Sequence, residues 1–311
     1  MTRDPRHLLY DLSPEQSSYR GLKLLALLYF GSLISGAVLS LIAFRLTHYF
    51  DPDASGYLAH KPYPNFFDRA RWLSVLLLIP YLFIQCRITS FKAVGFARPA
   101  LSVFGYWFVS GIVMILLIYG FNSATGAFSF EWSSESLPSR IGEAIVAALL
   151  IGILEETVFR GLVFRMFYTA FRPALAIAAS SFFFAVLHFK TPEFTLGLIN
   201  PLDVGVAEAS QIAIGTAFAV FTEFDLKYIL AIFLVGVVLH QVFLLANNLW
   251  ASIAIHAGWV FTIKFFGRAF ETTDKANAFS GTTNVADGYW VSVVLLLFVA
   301  IFAFMLGKKR V

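Results

Sequence analysis

Apolar runs close to bilayer-crossing length recur along the whole chain, and they restrict what it can fold into more than any other feature. They lie near residues 22–46, 72–88, 101–121, 141–168, 174–189, 208–222, 227–247, 249–266 and 289–307. A spanning helix needs about 20 apolar residues. In hydrocarbon every backbone polar group must also be satisfied internally. The expected fold is therefore all-α: a polytopic transmembrane helix bundle. Composition agrees: 59% of residues are hydrophobic, 14% are charged, and mean hydropathy is +0.75. A soluble domain carries about 25% charged residues.

The run at 208–222, EASQIAIGTAFAVFT, is short and weakly apolar and reads as re-entrant or internal. Leaving it out gives about eight spans. Arg3, Arg6, Arg20 and Lys23 near one end and GKKR at 307–310 near the other place both termini on the cytoplasmic side, which an even count satisfies. Residues 1–20 are polar and the run at 22–46 is too long for a signal-peptide core, so the first run reads as a membrane anchor. The expected location is the cell membrane, as a multi-pass protein. Three segments follow: N-terminal membrane helices at 1–140, core helices at 141–266, and a loop with the last helix at 267–311.

Composition also excludes whole classes of function. The net charge of +4 arises from Lys and Arg in short loops and concerns membrane orientation. No basic–aromatic patch points to nucleic acid, and no Gly-rich loop points to a phosphate-bearing cofactor. Cys86 is the single cysteine, which rules out intramolecular disulfides and CxxC sites. No cofactor is expected.

The informative residues are ionisable ones placed at membrane depth, where a charge costs about 2.5–3.5 kcal/mol by insertion scales. Glu155, Glu156 and Arg160 lie in LEETVFR (154–160). His188, His240 and His256 lie in three later apolar runs. Glu156 and Arg160 are four apart and share a helix face, so they are expected to pair. Glu155 points about 100° away and has Ile151 and Phe159, not a cation, at its own i±4 positions. That leaves Glu155 for chemistry, as a base taking a proton from water.

A short turn, TAFRPA (169–174), joins the run carrying the glutamates to the run carrying His188. Antiparallel neighbours place residues at equal depth when their numbers are symmetric about the turn. Glu155 and Glu156 pair with His188 about a centre at 171.5–172, which sets acid and imidazole at one level. Arg165 and Arg172 suggest a cytoplasmic turn, which puts Glu155 toward the far side. Asn247 and Asn248 interrupt the pattern as a turn. The next run carries Ser252 and His256 at i, i+4, with Asn248 one turn earlier. His240 reads as a member of a polar packing network, and Phe184 as core at the cavity wall.

EETVFR (155–160), FAVLH (184–188) and FLVGVVLHQVFLLANNLWASIAIH (233–256) together resemble the EExxxR, FxxxH and final-histidine motifs of the CAAX protease and bacteriocin-processing (CPBP or ABI) family. These are intramembrane proteases of the Ras-converting CAAX endoprotease type. The resemblance spans residues 141–262. It implies a glutamate-dependent endopeptidase whose helix bundle encloses a buried polar cavity, with Glu155 as base, His188 as its partner and His256 supporting the oxyanion. Glu156 is implied in the catalytic set, with Arg160, Phe184, Ser252 and Asn248 supporting it. The implied partners are the lipid bilayer and a membrane-embedded or lipid-anchored peptide or protein substrate, a prenylated tail among them.

The family usually has HxxxN or HxxxD at its last motif, whereas HAGWV places Val260 there. That departure favours a non-catalytic membrane partner or immunity-type protein as one alternative. Another is a zinc enzyme using Glu155, Glu156, His188 and His256, although HExxH is missing and Arg160 disfavours a dication. A proton-coupled transporter would predict inverted repeats, which are not seen.

Overall fold

The computed structural model describes residues 19–51, 53, 55–85, 88–98, 101–131, 137–188 and 203–309. Helices dominate: α1 (Tyr19–Phe50), α2 (Tyr63–Gln85), α3 (Leu101–Ala124), α4 (Leu137–Glu156), α5 (Phe164–Ala170), α6 (Pro173–Leu187), α7 (Val206–Thr222), α8 (Leu226–Ala246), α9 (Leu249–Phe266) and α10 (Tyr289–Lys309). Between α4 and α5 the residues Thr157–Val163 continue the rod as π-helix. Two three-residue strands, β1 (Phe128–Phe130) and β2 (Phe270–Thr272), pair antiparallel.

The protein is a polytopic helical bundle. Among the described residues six segments are long and apolar enough to cross a bilayer: Gly21–Phe50, Leu101–Ala124, Leu137–Ala170, Leu226–Ala246, Leu249–Ala269 and Tyr289–Lys309. Two runs counted as spans in the sequence do not reach that standard. In α2 the charged residues Asp68, Arg69 and Arg71 leave only the stretch after them apolar, with Pro80 inside it. The run at 174–189 yields only the 15-residue α6. The run at 208–222, expected not to cross, forms the 17-residue α7. Cys86 and the N-terminal basic residues up to position 18 lie outside the described residues.

The chain separates into two compact units. One holds α1, α2 and α7, with a core of Leu33, Phe44, Tyr63, Phe67, Val204, Ala209 and Ile212. The Ser40 hydroxyl and the Tyr63 phenol share a buried hydrogen bond of 2.8 Å between α1 and α2. Arg45 Nε donates to the Val204 carbonyl at 3.1 Å.

The other unit holds α3 to α5, most of α6, and α8 to α10, and contains the site-bearing helices. Its centre is α9, buried from Leu249 through Trp259 apart from Trp250. Small residues make that possible: Ala251, Ser252, Ala254, Ala257 and Gly258 let neighbouring backbones close in where no hydrophobic force drives helices together. The tightest crossing is between α3 and α9. A Cβ on Gly111 would strike the Ile255 carbonyl, and one on Gly258 would strike the Phe108 carbonyl.

Residues outside the helices fix the ends of α9. Asn247 adopts the left-handed conformation (φ 51°) that ends α8. Asn248 caps α9 by accepting from the Trp250 N–H at 3.1 Å. The Leu249 N–H donates to the Gly95 carbonyl, tying this end of α9 to the segment before α3. At the other end Arg140 Nη2 donates to the Phe265 carbonyl at 2.8 Å, so α4 begins where α9 finishes.

Candidate active site

Three buried ionisable groups from α4, the π-helical segment and α9 converge on one carboxylate oxygen. Arg160 Nη1 donates to Glu156 Oε1 at 2.9 Å, and His256 Nδ1 donates to the same oxygen at 2.9 Å. The side chains of Glu156 and Arg160 are fully inaccessible, while His256 keeps 10% of its surface. Glu156 Oε2 is buried and has no hydrogen-bond donor among the described residues.

The geometry follows from local sequence. Gly152, Glu156 and Arg160 follow one another at four-residue intervals along the buried side of the helix. Gly152 lets α4 approach Ile253 and Ala257 of α9, which brings Glu156 against His256 one turn further on. The π-helical segment starts right after the two glutamates. It buries Val158 through Val163 on every side, and π-turns inside helices are frequent at functional sites.

Arg160 is held on two further sides. Its guanidinium carbon stands 4.6 Å from the centre of the Phe184 ring, and Nη2 reaches the Gly236 carbonyl at 3.4 Å. Phe184 also meets Phe159 edge-on at 4.7 Å. The numbers 159 and 184 average 171.5, so within this unit the helices around the turn at 169–174 carry the register that mirrored numbering gives. A cation stacked on an aromatic face away from water gains about 2 kcal/mol, which offsets part of the cost of burying the guanidinium.

Glu155 is half-buried, on a different face from Glu156, and its carboxylate lies within electrostatic reach of Tyr228 at the start of α8. His188 stands half-buried in the turn that closes α6 and falls with the other compact unit. Ser252 is buried and donates to the Leu249 carbonyl of its own helix at 3.1 Å. Asn248 accepts from the Ala97 N–H at 3.3 Å as well as from Trp250. Ser252 and Asn248 thus serve the start of α9, while Phe184 touches the cluster directly. Val260 is partly buried, one turn beyond His256.

His240 is fully buried in a network of its own. Its Nδ1–H donates to the Gly236 carbonyl at 2.6 Å, and the Ser180 hydroxyl donates to Nε2 at 3.1 Å. A carbonyl can only accept, so the proton sits on Nδ1 and Nε2 is the acceptor. Ser181 Oγ lies 3.2 Å from Nδ1, and the Phe164 ring is 4.2 Å away. Sequence reading expected a polar network here but not its partners. The available signals were the Gly236–His240 spacing of four and the Ser180–Ser181 doublet. Among the described residues no three His, Cys, Asp or Glu side chains gather as a metal-binding group. The Arg160 guanidinium on Glu156 Oε1 already supplies positive charge where a dication would compete.

A multi-span bundle with a buried carboxylate–guanidinium–imidazole cluster defines a membrane protein with a polar intramembrane site. Residues 137–262, which hold all of that cluster, match the family model described as type II CAAX prenyl endopeptidase Rce1-like. This bears out the resemblance carried by EETVFR, FAVLH and the helices around His256: over that segment the chain is similar to a family of membrane endopeptidases. No curated protein and no solved structure matches the chain.

Proposed function

We propose that the protein is an intramembrane glutamate-dependent endopeptidase that hydrolyses a peptide bond in a membrane-anchored substrate, prenylated tails included. The cell membrane is the proposed site of action. The observation that carries the reading is the Glu156–Arg160–His256 cluster, buried at depth inside the segment that matches the family model. Motif order and mirrored numbering about 171.5–172 support pairing Glu155 with His188.

In this mechanism the Glu155 carboxylate takes a proton from water, with His188 orienting the pair. The resulting hydroxide adds to the scissile carbonyl carbon. His256 then donates from Nε2 to the carbonyl oxygen as it becomes an oxyanion, the step at which preorganised donors count most. Because Nδ1–H is committed to Glu156, Nε2 is the ring nitrogen left to face the substrate oxygen. Collapse breaks the C–N bond, and the proton held by Glu155 passes to the leaving amine. The products are one carboxylate and one amine. Val260 supplies no donor where the family has Asn or Asp, so His256 carries more of the oxyanion's charge here.

The test is cleavage of a membrane-peptide panel, prenylated and unprenylated, by purified protein and by its Glu155→Ala and His188→Ala variants, each with and without chelator. Expected is cleavage that both substitutions abolish and the chelator leaves unchanged. Loss on chelation with recovery on added Zn²⁺ would favour a metalloenzyme. Inertness of folded wild type on every peptide would favour a non-catalytic membrane partner.

A further inference from the structure

We infer that His240, which lies outside the family motifs, is a positioning residue that sets the place of Arg160 and, through it, of Glu156 and His256. The inference rests on the endopeptidase reading for its kinetic consequence but not for its structural one. A continuous chain of contacts joins the two histidines. His256 donates to Glu156 at 2.9 Å, Arg160 donates to the same oxygen at 2.9 Å and to the Gly236 carbonyl at 3.4 Å, and His240 donates to that carbonyl at 2.6 Å.

The Gly236 carbonyl is the point of competition. In α-helical α8 it is also the ladder acceptor for the His240 backbone N–H, so three donors address two lone pairs. The imidazole takes the short bond and Arg160 is left with a long one, which keeps the guanidinium turned toward Glu156. His240 holds that place because it is itself gripped by Ser180 and Ser181 of α6 and by the Phe164 ring after the π-helical segment. Gly236 permits the grip, since a Cβ there would sit 2.9 Å from Ser181 Cβ. Four elements are thereby locked around one cation. Removing the imidazole frees the Gly236 carbonyl, draws Arg160 toward it, and leaves more of the Glu156 charge to His256.

The experiment compares wild type with His240→Leu, His240→Asn and His240→Gln in detergent, reading the ring ¹⁵N signals of His256 and the kinetics on a cleaved peptide. Asn places an N–H donor near the Nδ1 position and Gln places its amide near Nε2, so only Asn restores the bond to Gly236. The expected result is a moved His256 Nδ1 signal in His240→Leu and His240→Gln and a near wild-type signal in His240→Asn. In parallel, kcat should fall by roughly 10²-fold in the first two, with KM little changed and recovery in His240→Asn. If His240→Leu does not fold, the Gln and Asn pair makes the same comparison. An unmoved His256 signal in folded His240→Leu or His240→Gln would overturn the inference, as would equal shifts in Asn and Gln. Because the ¹⁵N readout needs no turnover, it separates failure of the positioning role from failure of the endopeptidase reading.

Discussion

At the scale of single residues, the cluster is a buried charge set whose members cannot be removed one at a time. Breaking a buried pair by deleting one partner costs about 3–5 kcal/mol, while replacing both with apolar groups is close to neutral. Arg160→Met is therefore expected to lower stability by about that much, leaving Glu156 with the bond from His256. The Glu156→Leu/Arg160→Met double variant should recover most of the loss, and thermal unfolding in detergent would show it. The Glu156–Arg160 pair was legible in the sequence because i, i+4 spacing is a local rule. Its third member was not: His256 is 100 residues away, and only the motif resemblance placed it nearby. His240 was legible as a polar packing residue, but hydropathy gives no hint that it shares a carbonyl with Arg160.

At the scale of elements, apolar runs located the helices well, since hydrophobicity alone decides what crosses a bilayer. They could not reveal the π-helical Thr157–Val163, because hydropathy is continuous there and nothing in the run marks a change of helical pitch. Nor could they find the β1–β2 pair, whose strands are short and joined only through tertiary packing, with Tyr119 of α3 stacked on Phe270 at 4.7 Å. The α3–α9 crossing gives a direct test of close packing. Gly258→Leu should destabilise by about 1–3 kcal/mol or more, because its side chain would run into the Phe108 carbonyl, and Gly105→Leu, open on its outer side, should cost far less.

The turn after α1 has its own pH response. The Gly56 N–H, donating at 2.6 Å, and the Ser55 groups hold the Asp51 carboxyl below its usual range. A depressed folded pKa contributes stability above the unfolded value and loses it as pH falls through the folded one. The amides of Ser55 and Gly56 should therefore stay protected at neutral pH and exchange faster only in acid below the ordinary Asp range. Asp51→Asn should abolish that acid step in a hydrogen-exchange series.

At the scale of the whole molecule, charge is unevenly divided between the two ends of the site-bearing unit. Lys92, Arg98, Arg172, Lys308 and Lys309 stand at the end where α9 begins, with no carboxylate among the described loop residues there. The other end mixes Arg140, Lys227, Lys264, Arg268 and Lys275 with Glu131, Glu143, Asp225, Glu271, Asp274 and Asp287. The cytoplasmic termini expected from the sequence would put the first end, where Lys308 and Lys309 stand, on the cytoplasmic side. His256 is the seventh residue beyond Leu249, about 10 Å along the helix axis from that end. In a background lacking Cys86, a membrane-impermeant maleimide added outside should label Lys275→Cys and spare Lys92→Cys. The reverse pattern would invert the topology.

The central claim is a division of labour between adjacent glutamates, with Glu155 performing the chemistry and Glu156 holding the site together. The most direct measurement is kcat of Glu155→Gln beside Glu156→Gln on one cleaved membrane peptide, with unfolding temperature read on the same samples. Expected is a Glu155→Gln protein that is as stable as wild type and has no measurable turnover, and a Glu156→Gln protein that loses stability and retains residual turnover. Wild-type turnover by folded Glu155→Gln would contradict the account.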